Sequence, residues 1–324
     1  MSNLPLACNP LTVYHCDTMT TYLITGGLGF IGSHLAHALA KRGERVRVLD
    51  NLTSGRRANV AGLELEVIEG DVTNAAAVAT ALEGVEVVFH EAALASVPRS
   101  LETPLDTHNA CVTGTVMLLD QARRRGVRRV VYAASSSAYG NPPHDGPKHE
   151  DDLPQPLSPY AAAKLSAEHY CRAFHESFGL ETVCLRYFNV FGPRQDPNGP
   201  YAAVIPRFIT AMLAGESPVI YGDGGQSRDF TYVENVVDAN LLAASSPKAA
   251  GQVFNVGAGD STSLLDLVRL LNEQLGTKIA PRHEPARVGD VRNSCADIAR
   301  LRSLGYEPRV NLSAGLAHTI ASFR

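Results

Sequence analysis

A tyrosine and a lysine stand four positions apart, at Tyr160 and Lys164, in a segment rich in Ala, Glu and Leu. That composition predicts a helix, on which the two side chains share one face with Cβ atoms roughly 5–6 Å apart. A phenol has a pKa near ~10, but a fixed ammonium nearby can lower that pKa by roughly 1–3 units. A serine from the run that opens with Ser135 and Ser136 could hold the reacting alcohol. The pattern therefore predicts proton transfer at a hydroxyl, with a solvated polar helix face as the alternative.

A glycine-rich turn lies upstream, in the order strand, turn, helix that dinucleotide binding requires. The apolar run 22–25 leads into Gly26, Gly29 and Gly32, and a helix is predicted over about 33–42. Gly26 permits a tight turn, Gly29 lets backbone approach a diphosphate, and Gly32 lets helix pack close to strand. The spacing is GxxGxxG rather than GxGxxG, but its context predicts a diphosphate bound at the helix N-terminus.

Two acidic residues follow the next predicted strands. Asp50 ends the second strand, where its carboxylate would accept hydrogen bonds from ribose hydroxyls and repel a 2′-phosphate. NAD is therefore predicted in preference to NADP, an inference that Arg56 and Arg57 in the next loop weaken slightly. Asp71 follows the third strand, where it could cap the next helix or reach the adenine.

The elements that must position these groups alternate as strand and helix. Strands are predicted near 22–25, 46–50, 65–69, 85–89, 129–134 and 182–186, and long helices over about 104–126 and 160–178. This alternation indicates an α/β fold with a doubly wound parallel sheet, whose strand ends bind ligands. We expect an irregular N-terminal extension at 1–18, dispensable or from a wrongly set start. A Rossmann domain at 19–186, with later segments interleaved, and a smaller mixed α/β lobe at 187–324 are predicted to follow.

The composition is that of an ordinary globular chain, with 324 residues, 45% hydrophobic, 19% charged and a net charge of −4. The charge indicates no general affinity for nucleic acid or anionic membranes. We find no apolar run long enough to span a bilayer and no signal-peptide layout. The six cysteines have neither metal-site nor disulfide spacing, and His90 has no second ligand nearby in sequence. A cytoplasmic protein without a metal is the simplest expectation.

Six ordered motifs resemble those of the extended short-chain dehydrogenase/reductase superfamily and, within it, the UDP-glucose / UDP-N-acetylglucosamine 4-epimerase family. They are TGGLGFIG at 25–32, HEAA at 90–93, SSSAYG at 135–140, YAAAK at 160–164, RYFNVFGPRQDPNG at 186–199 and GDGGQSRDFTYVENV at 222–236. The resemblance covers about residue 20 to the C-terminus. It implies NAD as cofactor, a UDP-sugar substrate, oxidation and reduction at C4, and a homodimer formed through a four-helix bundle of the two long helices.

The resemblance also implies residue roles. Tyr160 would be the base and Lys164 its electrostatic partner. Ser135, four residues before Tyr139, would be the catalytic hydroxyl, with Ser136 as the alternative in a permissive serine run. The implied cofactor-binding residues are Gly26, Gly29, Phe30, Ile31, Gly32, Asp50, Asn51, Asp71, Val72, Ala92, Asn109, Tyr160, Lys164 and Tyr187. The implied substrate-binding residues are Ser96, Ser135, Asn189, Val204, Tyr221, Arg228, Arg287, Asp290 and Ser294.

Ser294 bears on the choice of sugar. Family members that look restricted to UDP-glucose and UDP-galactose carry a tyrosine four residues after a Gly-Asp pair, and Ser294 stands at that position here. A small residue resembles members that admit an N-acetyl group at C2. UDP-GlcNAc and UDP-GalNAc are therefore predicted substrates, alongside UDP-Glc and UDP-Gal.

Two other functions are weighed against epimerisation. Dehydratases and decarboxylases of the superfamily place acidic residues just before the Tyr-Gly pair, where this chain has Ser136, Ser137 and Ala138. A cofactor-sensing regulator with an inactive site would often lack the tyrosine and lysine, and both are present. Epimerisation is therefore the favoured hypothesis.

Overall fold

A computed structural model describes residues 20–142, 144, 146–198, 202–286 and 291–324. The predicted extension at 1–18 lies outside the described residues. The helices are α1 (Phe30–Lys41), α2 (Ala75–Ala81), α3 (Val97–Glu102), α4 (Pro104–His108), α5 (Gly114–Arg124), α6 (Pro159–Phe178), α7 (Val204–Leu213), α8 (Val233–Ser245), α9 (Leu264–Leu275), α10 (Ala299–Arg302) and α11 (Leu312–Phe323).

The strands of the main sheet are β1 (Thr21–Thr25), β2 (Arg45–Asp50), β3 (Glu66–Glu69), β4 (Val87–His90), β5 (Arg129–Ser135), β6 (Glu181–Tyr187) and, after four shorter strands elsewhere, β11 (Val253–Val256). All seven are parallel, in the order β11-β6-β5-β4-β1-β2-β3. The strand order runs outward from β1 to β3 on one side and from β4 to β11 on the other. In such sheets a ligand crevice opens where the order reverses, here between β1 and β4. The predicted fold class is confirmed, and the late strand β11 completes the sheet beside β6.

Helices cover both faces of the sheet. In β4, Phe89 belongs to the core beneath α1 and α8, whereas its neighbour Val88 belongs to the core beneath α2, α5 and α6. Both are fully buried. Burial of both faces requires the near-continuous apolar runs that made these strands recognisable in the sequence.

The predicted helix over 104–126 is divided. Helix α4 passes into a π-helical turn at Asn109–Thr113 and then into α5. Such a turn inserts one residue into the helical ladder and is often found at functional sites. Here it brings Ala110 to the wall of the cavity described below.

The C-terminal part adds a third apolar cluster, built from α7, α9 and α11 around Phe191 and Ile220. Three small sheets accompany it, formed by β7 (Val190–Phe191) with β10 (Thr231–Tyr232), by β9 (Ser227–Arg228) between β12 (Thr262–Ser263) and β14 (Asn293–Ser294), and by β8 (Val219–Tyr221) with β13 (Arg282–Glu284). Within the described ranges, no helix is long and apolar enough to cross a membrane.

Candidate active site

Helix α6 places the predicted catalytic pair. The Ser158 Oγ accepts a hydrogen bond from the Ala161 backbone N–H at 3.2 Å, and Pro159 occupies the first helical position. Both features favour a helix start at this point. Tyr160 is therefore in the first turn, where unpaired backbone N–H groups favour negative charge, and Lys164 follows one turn later.

Lys164 reaches from α6 to β5. Its side chain is only 3% exposed, and its ammonium donates to the Ala133 carbonyl at 2.8 Å. The same ammonium lies 4.9 Å from the centroid of the Tyr132 ring, within range of a cation–π contact. Burial lowers the pKa of Lys164, and Cys111 and Glu91 partly oppose that shift.

A lowered pKa was predicted for Tyr160, but in this structure the pKa of its phenol is raised. Burial raises the pKa of the Tyr160 phenol above its usual value, Cys111 and Glu91 act in the same direction, and hydrogen bonding with Ser135 acts to lower it. The sequence could not show this, because desolvation of the phenol depends on what the tertiary fold packs around it.

The serine run follows the end of β5. The Ser135 Oγ lies 2.8 Å from the Ser137 Oγ and accepts the Ser137 backbone N–H at 3.2 Å. Ser135 is also the serine whose hydrogen bonding acts on the Tyr160 phenol. This hydrogen bonding supports the prediction of Ser135, rather than the alternative Ser136, as the hydroxyl that accompanies Tyr160.

A cavity of about 260 Å³ lies at the same edge of the sheet, over the glycine-rich turn. Gly26 has φ = +68°, and a Cβ there would lie 2.9 Å from Ala92 backbone atoms. A Cβ on Gly32 would lie 2.3 Å from the Gly26 carbonyl oxygen, so only glycine permits this packing of α1. Ten predicted cofactor-binding residues line the cavity: Gly26, Gly29, Phe30, Ile31, Gly32, Asp50, Asn51, Asp71, Val72 and Ala92.

Asp50 and Asp71 lie in this cavity with different partners. The Asp50 carboxylate accepts the backbone N–H groups of Leu28 at 3.0 Å and Leu52 at 2.8 Å, which ties β2 to the glycine-rich turn. Asp71 accepts from Asn51 Nδ2 at 2.7 Å and from the Thr73 hydroxyl at 2.6 Å. Burial acts to raise the pKa of Asp71, but these hydrogen bonds outweigh it and leave that pKa lowered.

Asp71 does not cap the next helix, which was one of its two predicted roles. Asn74 caps α2 instead, because its side-chain oxygen accepts the N–H groups of Ala76 and Ala77 at 3.0 and 3.2 Å. Four of the predicted cofactor-binding residues do not line the cavity. Of these, Asn109 is exposed on the π-turn, and Tyr187 is buried behind Glu91. Tyr160 and Lys164 are placed as described above.

Two predicted substrate residues lie side by side. Ser294 on β14 is the register partner of Arg228 on β9, and the Asp229 N–H donates to the Ser294 carbonyl at 2.7 Å. Asn189 is exposed, with its side chain donating to the Asp229 carbonyl at 3.3 Å. Arg287 and Asp290 lie outside the described residues.

The remaining three substrate predictions are more dispersed. Ser96 caps α3 by accepting the Arg99 N–H at 3.2 Å. Val204 opens α7, and Tyr221 ends β8, each half-buried. None of the three lines the cavity over the glycine-rich turn.

Comparison with known proteins agrees with this geometry. The family model that matches residues 22–257 is that of the NAD dependent epimerase/dehydratase family. The chain belongs to this family. A UDP-glucose 4-epimerase of Mycolicibacterium smegmatis is 41% identical over 93% of this chain and 98% of its own length. The superfamily and the NAD cofactor predicted from the six motifs are thus confirmed.

Solved structures agree with the fold over most of the chain. A UDP-N-acetylglucosamine 4-epimerase from Methanobrevibacter ruminantium, in complex with UDP-N-acetylmuramic acid, is 42% identical with a TM-score of 0.90, over 94% of this chain and 98% of that one. A Thermus thermophilus UDP-glucose 4-epimerase in complex with NAD is 35% identical with a TM-score of 0.88, over 94% and 99%.

The cavity fits the cofactor for which the family is named. Cβ atoms on Gly26 and Gly32 would fill the turn where backbone must approach a diphosphate, and Asp50 remains able to accept ribose hydroxyls through its further lone pairs. The two arginines that follow Asp50 in the next loop are already paired at the surface, Arg56 with Asp196 and Arg57 with Glu69.

Two functional candidates were missed by sequence reasoning. Glu91 lines the cavity, and only its position directly after β4 could have indicated this. Asp229 is fully buried and accepts the N–H groups of Ala258, Gly259 and Ala296 at 2.8, 3.0 and 3.2 Å. Asp229 therefore joins the loop at Ala258 and Gly259 to the segment that follows Ser294. No local sequence pattern indicates such a long-range role.

Proposed function

We propose that the protein catalyses the reversible, NAD-dependent 4-epimerisation of a UDP-hexose. The observation that carries this proposal is the convergence of Tyr160, Lys164 and Ser135 at the carboxyl end of β5, on the sheet edge that also carries the dinucleotide cavity. A phenol, an ammonium and a hydroxyl at one strand end are the groups needed to move a proton at a secondary alcohol.

Tyr160 acts as the base. Its phenolate accepts the proton of the sugar 4-hydroxyl and later returns it to the 4-keto oxygen, while Ser135 holds that oxygen by a hydrogen bond. NAD held by the residues that line the cavity would supply the hydride acceptor and donor needed at C4, a chemistry that the side chains of the protein cannot provide. Lys164 is held by Ala133 at the floor of the site, where its charge offsets the charge that develops on the phenolate.

Arg228 is proposed to bind the UDP diphosphate, since a guanidinium matches phosphate oxygens in a bidentate way. Its register partner Ser294 then lies close to the sugar end of the nucleotide. A serine leaves more room there than a tyrosine would. We therefore propose that UDP-GlcNAc and UDP-GalNAc are accepted in addition to UDP-Glc and UDP-Gal.

Product analysis tests this function directly. The protein is incubated separately with UDP-Gal and UDP-GalNAc, and the products are separated and identified. Formation of the matching 4-epimer is expected in both reactions. Loss of water or CO₂ from a nucleotide sugar would instead indicate the dehydratase or decarboxylase chemistry of the same superfamily, against which Ser136, Ser137 and Ala138 argue because they provide no carboxylate.

We also propose that the protein is a homodimer formed through α4, α5 and α6. Large apolar side chains are exposed on this side of the molecule, with Leu105 on α4 at 76% and Tyr170 on α6 at 43%. A patch of this kind commonly marks an interface. Sedimentation analysis should give a dimer for the wild type and a monomer for Leu105→Glu. Leu265→Glu, at an exposed position of α9, should remain dimeric.

A further inference from the structure

Glu91 presents a carboxyl group to the dinucleotide cavity. It follows β4 directly, and its side chain lines the same cavity as the glycine-rich turn. The Tyr187 hydroxyl donates to the Glu91 Oε1 at 2.8 Å, and Asn240 Nδ2 donates to that hydroxyl at 2.8 Å. Tyr187 and Asn240 are buried, so this chain of hydrogen bonds fixes the position of the carboxyl group.

The charge on Glu91 acts on the catalytic pair. Lys164 from α6 acts to lower the pKa of Glu91, and Glu91 in turn acts to raise the pKa of Lys164 and of Tyr160. Burial nevertheless dominates and raises the pKa of Glu91 to about 7. The group is therefore an acid that ionises near neutrality, at the junction of the cavity and the catalytic residues.

Hydrogen bonding alone does not account for an acid at this position. A glutamine has a side-chain oxygen that could accept from Tyr187 equally well, so the distinguishing property of Glu91 is its charge. Lys164 supplies the opposite charge, which by itself would disfavour a cationic ligand in the cavity. Glu91 offsets that effect inside a partly desolvated site, where charges interact more strongly than in water.

We propose that Glu91 sets the redox balance of the bound nicotinamide by favouring its oxidised form. The oxidised ring carries one positive charge, and it becomes neutral when it takes a hydride, that is, two electrons and one proton, from C4 of the sugar. A nearby carboxylate stabilises the cationic ring relative to the neutral one. The hydride is thereby returned to the 4-keto sugar more readily, and less of the enzyme remains in the reduced state.

This inference rests on the NAD site of the proposed function, but not on the identity of the sugar. By thermodynamic linkage, the ratio of bound NADH to bound NAD⁺ equals the ratio of the free dinucleotides multiplied by the ratio of their affinities for the protein. The full-length chain is equilibrated with NAD⁺ and NADH at set ratios near pH ~8.5, where Glu91 is ionised. The reduced fraction of the bound dinucleotide is then read from its near-ultraviolet absorbance after gel filtration.

Glu91→Gln should shift the bound ratio toward NADH by about tenfold, which is the effect expected from losing one partly screened charge. Glu91→Asp keeps the charge and should remain within about threefold of wild type. Glu83→Gln, which removes an exposed acid, should leave the ratio unchanged.

A ratio for Glu91→Gln within twofold of wild type would overturn the proposal, and so would an equal shift in Glu91→Asp, since geometry rather than charge would then be responsible. The epimerase proposal fails separately. If the shift is present but no 4-epimer is formed from any UDP-hexose, the role of Glu91 stands and the proposed reaction is wrong.

Discussion

The Lys164 ammonium donates a 2.8 Å hydrogen bond to the backbone carbonyl of Ala133, two residues before Ser135 in the same strand. Helix α6 and strand β5 are thus joined at the residues that carry the proposed chemistry. Because the joint consists of a buried side chain and a backbone carbonyl, it does not depend on a flexible loop. Scaffold elements of this kind hold catalytic groups more accurately than loops do.

Replacement of Tyr160 tests the assignment of the base. Tyr160→Phe removes only the phenolic oxygen, so we expect the kcat for epimerisation to fall by at least about a hundredfold while UDP binding, measured by calorimetry, stays within a few-fold of wild type. Tyr170→Phe, on the exposed side of the same helix, should have normal kcat. A Tyr160→Phe rate within a few-fold of wild type would exclude the phenol as the base.

Much of this site follows from local sequence. The glycine-rich turn and Asp50 line the cavity as expected, because the carboxyl ends of parallel strands must meet at one edge of the sheet. The start of α6 also follows from local sequence, since Pro159 and the capping residue Ser158 lie immediately before Tyr160. In these cases the residues that determine the structure are close together in the chain.

Properties set by distant contacts were not predictable. The raised pKa of Tyr160 arises from burial, and the Glu91–Tyr187 hydrogen bond joins residues 96 positions apart. The helix cap at Asn74 was missed for a different reason: Asp71 is as good a capping residue type, and only the backbone shows that Asn74 is at the helix boundary.

The ion pair of Arg186 and Glu168 should matter for stability. Two hydrogen bonds of 2.9 and 2.6 Å join them, and their side chains are only 4% and 6% exposed. Glu168→Gln leaves the guanidinium buried without a counter-charge, so the free energy of unfolding in urea should fall by about 3–5 kcal/mol.

The matched control for this pair is Glu69→Gln. It breaks the Arg57–Glu69 pair, whose side chains are 59% and 61% exposed, and should cost at most about 1 kcal/mol. If the free energy of unfolding fell equally in the two variants, burial would not make the Arg186–Glu168 pair more important for stability than the exposed pair.

His90 should contribute to loss of stability in acid. It is fully buried between the hydroxyls of Thr25 and Thr115, at 2.7 and 2.9 Å, and burial together with Lys164 lowers its pKa to about 3. An unfolded histidine has a pKa near ~6.5, so the unfolded chain binds more protons between these values. The stabilisation is complete above pH ~6.5 and is lost as the pH falls toward about 3.

The measurement is the pH dependence of the free energy of unfolding. Between about pH 6 and pH 4, His90→Gln should have a slope smaller than wild type by about 1.4 kcal/mol per pH unit, the value for one proton. Parallel curves for wild type and His90→Gln would contradict the assignment.

Substrate choice should depend on Ser294. This residue is 6% exposed and lies beside Arg228 in the three-stranded sheet, with its carbonyl accepting the Asp229 N–H at 2.7 Å. The backbone at this position is therefore fixed, and a larger side chain cannot be accommodated by movement of the strand. We therefore expect the added volume of a larger side chain to be taken from the proposed sugar site.

Ser294→Tyr should consequently lower kcat/KM for UDP-GlcNAc and UDP-GalNAc by at least about a hundredfold, because an N-acetyl group at C2 would collide with the ring. The kcat/KM values for UDP-Glc and UDP-Gal should fall by less than about tenfold. Ser294→Ala should act on both sugar pairs as the wild type does, which separates added volume from loss of the hydroxyl. If Ser294→Tyr reduced all four substrates equally, the residue would support the strand rather than select the sugar.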